Sequence, residues 1–305
     1  WSDSMPELPE VETVRTGLAQ AWVGRTITQV TLRRAGLRFP FPENMAQRLT
    51  GQTITQVRRR AKYLLIDTTD ELVFLSHLGM SGRYTLITAS EVPRYLQKNA
   101  SSKHSKFGEL TGFDGRHDHM EFCFDDGSVA VYTDPRRFGV ADLFERAEEP
   151  IQSLLEHLGP EPLEDWTAQD AARRCQGKRS PIKTTLLDQR FVVGVGNIYA
   201  CEALHRSGIS PILPTHKLVR KDGKPTKALS TLVEQVKEVL IAAIAVGGST
   251  LNDFAAVDGT LGYFGHHFQV YDREDGPCLK EGCNGTIERI VQSNRSTFLC
   301  PRCQK

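Results

Sequence analysis

The sequence predicts an α+β protein in which one helix and a set of short strands come first, helices follow, and a cysteine-rich segment ends the chain. Seven short runs rich in β-branched and aromatic residues lie between positions 26 and 133. Between positions 168 and 246 the apolar residues recur at helical spacing instead. Four of the seven cysteines stand at or after position 278. A chain of 305 residues is long enough for two domains of ordinary size.

The stretch MPELPEVETV, residues 5–14, predicts the first helix. Pro9 suits the first helical position, where its missing N–H needs no partner, and Glu10 complements the positive end of the helix dipole. Apolar residues at helical spacing extend the prediction to Trp22; they are Leu8, Val11, Val14, Leu18 and Trp22.

The helix leaves the preceding Met5-Pro6-Glu7 unexplained. If translation starts at Met5 and this residue is removed, Pro6 carries a free secondary amine. Such an amine can attack a carbonyl-like carbon and form an iminium. We therefore interpret residues 1–5 as an extension, in which Trp1–Ser4 were added ahead of an initiator methionine.

The β segments favour a sandwich or a barrel, because many short strands follow a single helix. They lie at 26–32, 53–59, 63–68, 71–78, 83–88, 119–124 and 129–133. Asp125–Gly127 supplies a hairpin turn. Residues Ala89–Gly115 interrupt the pattern, and a loop of this length is expected to be functional or disordered.

The second half begins after two acidic segments at 145–150 and 158–165, which we take as a domain boundary. Helices are expected at 168–176, 181–189, 197–207 and 226–246. The net charge of +1 conceals basic clusters at 58–62, 178–183 and 217–227, which suit either a solvated surface or a polyanionic partner. No apolar run is long enough to span a membrane and no signal peptide is recognised, so a soluble intracellular protein is expected.

The four C-terminal cysteines have the spacing of a zinc ribbon. Cys278-x4-Cys283 is followed, after sixteen residues, by Cys300-x2-Cys303. Four thiolates can hold one structural zinc ion, whereas an intracellular location disfavours the alternative of disulfides. The segments TIERIV and STFLC predict a hairpin with its turn at Gln292–Arg295. Such a hairpin can contact nucleic acid or only brace the fold.

A glycine-containing loop, DQRFVVGVGNIYACEAL (188–204), joins two predicted helices. It lacks the preceding strand and third glycine of a dinucleotide-binding motif. Asn197 is expected to cap the following helix. The exposed N–H groups at that helix start are expected to form a phosphate cradle with Lys178, Arg179 and Lys183, although an ordinary helix corner is the alternative.

Seven motifs then occur together in one order. They are MPELPEVETV, RRAKYLL (59–65), HLGMSG (77–82), YTDPRRFG (132–139), VVGVGNIYACEAL (192–204), DGTLGYF (258–264) and the four cysteines. In this combination the chain resembles the formamidopyrimidine-DNA glycosylase family from Pro6 to Lys305. The resemblance implies a cytoplasmic, nucleoid-associated bacterial enzyme, expected to be monomeric, with one structural zinc. It would excise oxidised purines, chiefly 8-oxoguanine opposite cytosine, from duplex DNA and cleave the strand by β,δ-elimination. The implied domains are a β-sandwich (6–150), a helix–two-turn–helix domain (151–270) and a zinc hairpin (271–305).

The resemblance also implies catalytic roles. Pro6 would attack C1′ of the damaged nucleotide, and the positive helix end disfavours the protonated amine. Glu7 would act as the general acid–base and Glu10 as a supporting carboxylate. Lys62 would contact phosphate and assist elimination, and Arg295 would hold a phosphate at the hairpin tip.

A further set of residues is implied to bind DNA. Met80, Arg136 and Phe138 would fill the space that the everted nucleotide leaves, although Met80 and Phe138 could instead be core side chains. Residues 247–264 resemble the loop that closes over the everted base. His117, Arg136, Arg179 and Asn197 align with positions that bind the DNA backbone.

Two rival functions differ from this interpretation. An endonuclease-VIII-like glycosylase for oxidised pyrimidines would share Pro6, Glu7, Lys62 and the zinc hairpin, but ELPEVE, PRRFG and the GYF loop favour the purine enzyme. A non-catalytic protein that binds damaged DNA would keep the fold without a reactive amine. Residues 89–115 are longer than the usual connection in the family, so no role is transferred to them.

Overall fold

The computed structural model describes residues 5–93, 115–249 and 264–305. Trp1–Ser4, most of the long 89–115 segment and most of the 247–264 loop therefore lie outside the described residues. The described chain forms two compact units. The β unit comprises residues 10–93 and 115–156, and the helical unit comprises residues 5–9, 157–249 and 264–305. Within these ranges no helix has the length and apolarity needed to cross a membrane.

The β unit is built from two four-stranded antiparallel sheets, as the sequence predicted for a sandwich. Its strands are β1 (Ile27–Leu32), β2 (Ile54–Arg60), β3 (Tyr63–Thr68), β4 (Leu72–His77), β5 (Arg83–Ile87), β6 (Asp118–Phe124), β7 (Val129–Thr133) and β8 (Val140–Glu145). The strand orders are β1-β6-β7-β5 and β2-β3-β4-β8.

Helix α1 (Leu8–Trp22) supplies one wall of the β-unit core. Its apolar residues from Val11 onward are buried with side chains of both sheets. Trp22 meets the Tyr84 ring edge-on at 5.4 Å between centroids and packs against Phe122 and Phe124 at 5.7 and 5.6 Å. The helix thus ends in an aromatic cluster, where the apolar spacing predicted its end.

Two elements of this unit were not predicted. Helix α2 (Met45–Leu49) has only five residues, which is too short for a periodic apolar pattern to be recognised, and no side-chain cap marks its start. Strand β8 follows the polar segment DPRRFG and contains Asp142 and Glu145, which hide its buried apolar positions. The acidic segment from 145 onward forms a 3-10 turn, Arg146–Ile151.

The helical unit contains the four helices that the apolar spacing predicted. They are α3 (Ala168–Cys175), α4 (Ile182–Leu187), α5 (Asn197–Ser207) and α6 (Lys227–Ala245). Thr167 and Asp170 form a capping box at the start of α3, and the Thr226 hydroxyl caps α6. Gly208, with φ of +69°, ends α5. Short 3-10 turns lie at Thr215–Leu218 and Phe264–His267.

The C-terminal hairpin pairs β9 (Glu288–Gln292) with β10 (Arg295–Leu299). Gln292 lies opposite Arg295, so the turn has two central residues, Ser293 and Asn294. Both have positive φ, 49° and 61°, as a type I′ hairpin turn requires. The predicted turn is confirmed, and Arg295 opens the second strand beside it.

Candidate active site

The N-terminal residues lie in the glycine-containing loop of the helical unit. The backbone N–H of Leu8 donates to the carbonyl of Gly194 at 3.0 Å. A Cβ on Gly194 would lie 2.6 Å from a methyl group of Leu8, and its φ of +78° also favours glycine. A Cβ on Gly196 would lie 2.2 Å from Cδ of Glu7. The two glycines therefore make room for the two side chains that follow Pro6.

The carboxylate of Glu7 caps helix α5. It accepts hydrogen bonds from the N–H groups of Gly196 at 2.8 Å, Ile198 at 2.9 Å and Tyr199 at 3.4 Å. Glu7 is only 2% exposed. The positive end of the helix and these donors together stabilise a carboxylate at this place. Pro6, directly before it in the chain, is also buried.

This arrangement corrects two predictions about the loop. Asn197 is the first residue of α5 and its side chain does not cap the helix. The expected phosphate cradle is also wrong, because the Glu7 carboxylate occupies the N–H groups that a phosphate would need. The anion at the start of α5 is therefore the carboxylate of Glu7, which lies 189 positions before Gly196 in the chain.

Asn197 and Lys183 instead hold the root of the C-terminal hairpin. The Asn197 side-chain amide donates to the Ser296 carbonyl at 2.9 Å. The Lys183 ammonium group donates to the same carbonyl at 3.1 Å and to the Thr297 hydroxyl at 2.6 Å. Lys183 is fully buried, which corrects its predicted role in a phosphate cradle.

The pKa of Lys183 is shifted by its burial and by charges in the helical unit. Burial lowers the pKa of Lys183, and the positive charge of Arg295 lowers it as well. Cys201 and Glu7 act on this pKa in the opposite direction. Glu7 and Arg295, both predicted catalytic residues, thus each act on the pKa of Lys183. Arg179 is exposed on the segment after α3.

The four cysteines fit one tetrahedral zinc ion. All four sulfur atoms lie within 4.8 Å of one another, with 3.9 Å between Cys278 and Cys303 and 3.7 Å between Cys283 and Cys300. Tetrahedral coordination with Zn–S distances of ~2.3 Å places sulfur atoms ~3.8 Å apart. A Cβ on Gly285 would lie 2.5 Å from the Cys300 sulfur, so the knuckle requires glycine there.

A histidine that the sequence analysis missed lies against this cluster. Nε2 of His205, a residue of α5 that is 2% exposed, lies 3.3 Å from the sulfur of Cys278. An N–H at this position can donate to a metal-bound thiolate and orient it. No spacing rule indicates this residue, because it lies 73 positions before Cys278.

In the β unit, Lys62 lies in a tight turn between β2 and β3. Arg60 pairs with Tyr63, and Ala61 has a φ of +53°. The Arg59 guanidinium donates to the Ala61 carbonyl at 2.9 Å and to Glu12 at 2.9 Å, which fixes the turn. Although it lies at a turn, Lys62 is only 7% exposed. Glu10, in the first turn of α1, is fully buried.

His77 and Arg38 share this end of the β unit and were not singled out from the sequence. The His77 ring packs on Tyr63 at 4.9 Å between centroids, and its Nδ1 accepts the Gly79 N–H at 2.9 Å. Burial, followed by the charges of Lys62 and Arg38, lowers the pKa of His77 to about 4. The ring is therefore neutral at pH 7 and carries its proton on Nε2.

The Met80 turn and the Arg136–Phe138 loop are fastened to each other. The Ser81 hydroxyl donates to buried Asp134 at 2.6 Å and accepts the Arg136 N–H at 3.1 Å. The Gly139 N–H donates to the second oxygen of Asp134 at 2.8 Å. The Asp134 N–H in turn donates to the His117 carbonyl at 2.9 Å. Predicted DNA-binding residues from three parts of the sequence thus meet at one end of the β unit.

The side chains of this loop point outward. The Arg136 guanidinium lies 5.2 Å from the centroid of the Phe138 ring, and Phe138 is 46% exposed. Phe138 is therefore not the core side chain that the alternative interpretation allowed. Met80 is half-buried in the adjoining turn.

Comparisons with known proteins match this architecture. The N-terminal domain of formamidopyrimidine-DNA glycosylase matches residues 5–141, its H2TH domain matches residues 158–255, and the zinc finger found in FPG and IleRS matches residues 276–305. The formamidopyrimidine-DNA glycosylases of Rhodopseudomonas palustris and Rhizobium etli are 48% and 47% identical to this chain, over 99% of it and all of their own length.

Solved structures give the same result. The Lactococcus lactis Fpg in complex with DNA containing an abasic site is 30% identical to this chain, with a TM-score of 0.80. The match covers 98% of this chain and 99% of the L. lactis chain. The same enzyme with N7-benzyl-Fapy-dG DNA has the same identity and TM-score, covering 98% and 100%. This chain therefore belongs to the formamidopyrimidine-DNA glycosylase family.

Proposed function

We propose that this chain, a DNA glycosylase and abasic-site lyase by its family, removes oxidised purines through an attack of the Pro6 nitrogen on C1′. The observation that carries the proposal is the Glu7 carboxylate, fixed on the start of α5 directly after Pro6. A nucleophilic amine needs a nearby group that accepts and returns protons. Glu7 is that group, and its three N–H donors hold it in one orientation.

The reaction then proceeds through an iminium between Pro6 and C1′. Breaking the bond to the base leaves the sugar attached to the enzyme, and Glu7 transfers the protons that ring opening requires. Loss of the C2′ proton expels the 3′ phosphate, and a second elimination expels the 5′ phosphate. Lys62 and Arg295 each supply a positive charge for these leaving phosphates. Glu10 is the supporting carboxylate, and its negative charge complements the positive end of the α1 dipole.

Extraction of the lesion depends on the outward-pointing loop of the β unit. Met80 and Phe138 replace the stacking that the everted nucleotide loses, which costs a few kcal/mol. The Arg136 guanidinium offers donors to the acceptors of the orphaned base. Cytosine, with its O2 and N3 acceptors, is the base that suits these donors. His117, Arg179 and Asn197 are proposed to hold the DNA backbone.

The zinc ion has a structural role in this proposal. Cys278, Cys283, Cys300 and Cys303 would hold it and so fix the hairpin that presents Arg295. The partner is duplex DNA that contains a damaged base, and we propose that one copy of the chain binds it as a monomer.

Borohydride trapping tests the nucleophile. A chain that begins at Pro6 should form one covalent adduct with an 8-oxoguanine duplex, mapped to Pro6, and Glu7→Gln should lose most of the excision. An adduct mapped to Lys62 would contradict the assignment. A protein that binds lesion DNA without any adduct or excision would be the non-catalytic rival.

The same preparation separates the two substrate classes. Excision should be faster from a duplex with 8-oxoguanine opposite cytosine than from one with thymine glycol. The reverse order would make the chain an oxidised-pyrimidine enzyme.

A further inference from the structure

The helical unit carries a strongly basic hairpin, residues 217–227, which the catalytic proposal does not use. The segment KLVRKDGKPTK contains five cations and one acid, a local charge of +4 in a chain whose net charge is only +1. The cations are Lys217, Arg220, Lys221, Lys224 and Lys227, and all of them are exposed.

This basic hairpin has a fixed backbone. Val219 and Pro225 form a β-bridge, and the Arg220 N–H donates to the Lys224 carbonyl at 2.9 Å. The Asp222 carboxylate accepts the Lys224 N–H at 3.1 Å within the turn. Thr226 closes the hairpin, because its hydroxyl donates to the Leu218 carbonyl at 2.9 Å. The positive charges are therefore presented on a rigid turn.

The charges of the basic hairpin are poorly neutralised. Over the described ranges, Asp222 is the acid that pairs with one of its cations, at 3.4 Å from Arg220, and both side chains are exposed. An exposed pair of this kind contributes little to stability. Such a concentration of like charge on an ordered turn favours an anionic partner over solvent.

The basic hairpin is continuous with the surface that carries Arg179. The N–H of His216 donates to the Lys178 carbonyl at 2.8 Å, and the N–H of Thr215 donates to the Ser180 carbonyl at 3.0 Å. These bonds fasten the start of the hairpin on both sides of Arg179. At the hairpin tip, a Cβ on Gly223 would lie 2.9 Å from the side-chain amide of Gln176, so the tip lies against the end of α3.

We propose that the basic hairpin is a second contact surface for the phosphates of duplex DNA, which lengthens the footprint of the enzyme beyond the lesion site. The inference rests on the proposed function, because Arg179 is taken there as a backbone contact. Lysine and arginine side chains on a turn recognise phosphates without reading bases. The hairpin has no aromatic residue for base stacking, so a duplex suits it better than a single strand.

The test compares duplexes of two lengths in binding titrations at several salt concentrations. A variant combining Arg220→Gln, Lys221→Gln and Lys224→Gln should bind a long lesion duplex of about 30 base pairs at least tenfold more weakly. The salt slope, which is the slope of the logarithm of the binding constant against the logarithm of the salt concentration, should be shallower by about 2 to 3 for this variant. Each phosphate contact that is lost reduces the number of counterions released on binding by about one. Binding and excision on a short duplex of about 12 base pairs centred on the lesion should be unchanged, because the proposal places the hairpin contacts on phosphates beyond this length.

Two control proteins accompany this variant. Exchanging the cations, with Arg220→Lys, Lys221→Arg and Lys224→Arg, keeps the charge and should bind like the parent. Lys237→Gln removes one charge on α6 beside Glu234 and Glu238, and it should leave the salt slope of the long duplex unchanged. Equal zinc content and equal melting temperature in all four proteins show that the unit is folded.

The outcomes separate this inference from the proposed function. An unchanged affinity and salt slope of the triple variant on the long duplex would overturn the footprint, even if 8-oxoguanine is excised normally. If the parent fails to excise 8-oxoguanine, the proposed function fails, whereas a length-dependent loss of binding would still support the hairpin contact. Loss of binding to anionic phosphatidylserine vesicles, with the DNA slope unchanged, would assign the hairpin to a membrane surface and would also overturn the footprint.

Discussion

Glu7 and Gly196 share a space that only a glycine leaves open. The Glu7 carboxylate accepts the Gly196 N–H at 2.8 Å, and a Cβ on residue 196 would lie 2.2 Å from the carboxyl carbon. The backbone of Gly196 is extended, so alanine could adopt its conformation. The glycine is required for the closeness of the carboxylate rather than for an unusual backbone angle.

Gly196→Ala should therefore displace the Glu7 carboxylate while leaving the fold intact. Because a shift of about 1 Å in a catalytic group can cost about 100-fold in rate, excision of 8-oxoguanine should fall by roughly that factor. Single-turnover excision kinetics at saturating enzyme measure the effect, since they exclude product release.

Gly24→Ala is the matched control for this substitution. Gly24 has a φ of +84° and open space around its Cβ position, so alanine should cost about 1 kcal/mol of stability without touching Glu7. Full excision activity is expected from the control. Wild-type excision by Gly196→Ala would show that the position of the Glu7 carboxylate is not limiting.

The sequence predicted most elements but only part of this site. Strands β1 to β7 and the four helices of the helical unit follow from apolar spacing, and the cysteine spacing predicted the zinc cluster. The glycines at 194 and 196 were visible, but nothing local tells that Leu8 and Glu7 occupy the space beside them. The contact joins residues 189 positions apart, so the phosphate cradle was a reasonable but wrong interpretation.

The same limit applies to side chains that act through another group. His205 looks like one more residue on a buried helix face, and its relation to Cys278 exists only in the folded chain. Lys183 stands in a basic cluster, yet it is fully buried and bonded to Thr297. Charge in a sequence does not show whether a side chain is solvent-exposed.

The zinc ion should be held less tightly when His205 is changed. His205→Phe removes the N–H near the Cys278 sulfur and retains an aromatic ring, so zinc affinity should fall about 10-fold to 100-fold. Competition with a chromogenic chelator measures this. The sulfur-to-metal charge-transfer band of the cobalt-substituted protein should also shift, which a mere packing change would not cause.

Complete chelation should have a larger effect than His205→Phe. Removal of zinc should abolish DNA binding, because the hairpin that presents Arg295 loses its support, while the β unit keeps its strand content by circular dichroism. Zinc-free protein that binds lesion DNA normally would contradict the structural role of the metal.

His77 predicts a pH dependence of stability. Its pKa is about 4 in the folded protein against 6.5 ordinarily, so between these values the unfolded chain binds more protons than the folded one. Stability should therefore fall as the pH falls from 6.5 to 4, by about 2 kcal/mol for a half-buried ring.

His77→Asn isolates this contribution, since an asparagine oxygen can still accept the Gly79 N–H. Urea unfolding at several pH values should give a shallower dependence for the variant than for the parent in this window. Identical slopes for the two proteins would show that His77 does not titrate differently on folding.

The exposed ring of Phe138 should matter for extraction of the lesion and not for overall affinity. Phe138→Ala should slow excision of 8-oxoguanine by about tenfold or more, because the wedge offsets unstacking. Binding to an undamaged duplex should change little. Phe39→Ala is a close control, since Phe39 is 50% exposed and also carries a guanidinium, that of Arg38, at 5.5 Å from its ring. Equal excision by both variants would remove the wedge role.

The nitrogen of Pro6 provides the most direct test of the mechanism. In a protein that retains Trp1–Met5 this nitrogen is an amide, whose lone pair is delocalised into the Met5 carbonyl and cannot attack C1′. Such a protein should bind a lesion duplex but form no borohydride adduct and make no cut.

A protein whose mass confirms a start at Pro6 should form the borohydride adduct and cut the strand. Its Pro6→Gly variant keeps a terminal amine, now primary, and should retain part of the activity, whereas acetylation of the terminus should abolish trapping. Pro6 is buried beside the Glu7 carboxylate that caps α5. Even one additional residue ahead of Pro6 should therefore suppress the reaction, because it converts the amine to an amide and takes up space in the site. Undiminished strand cleavage by a preparation whose mass confirms Trp1 at its terminus would rule out the Pro6 amine as the nucleophile.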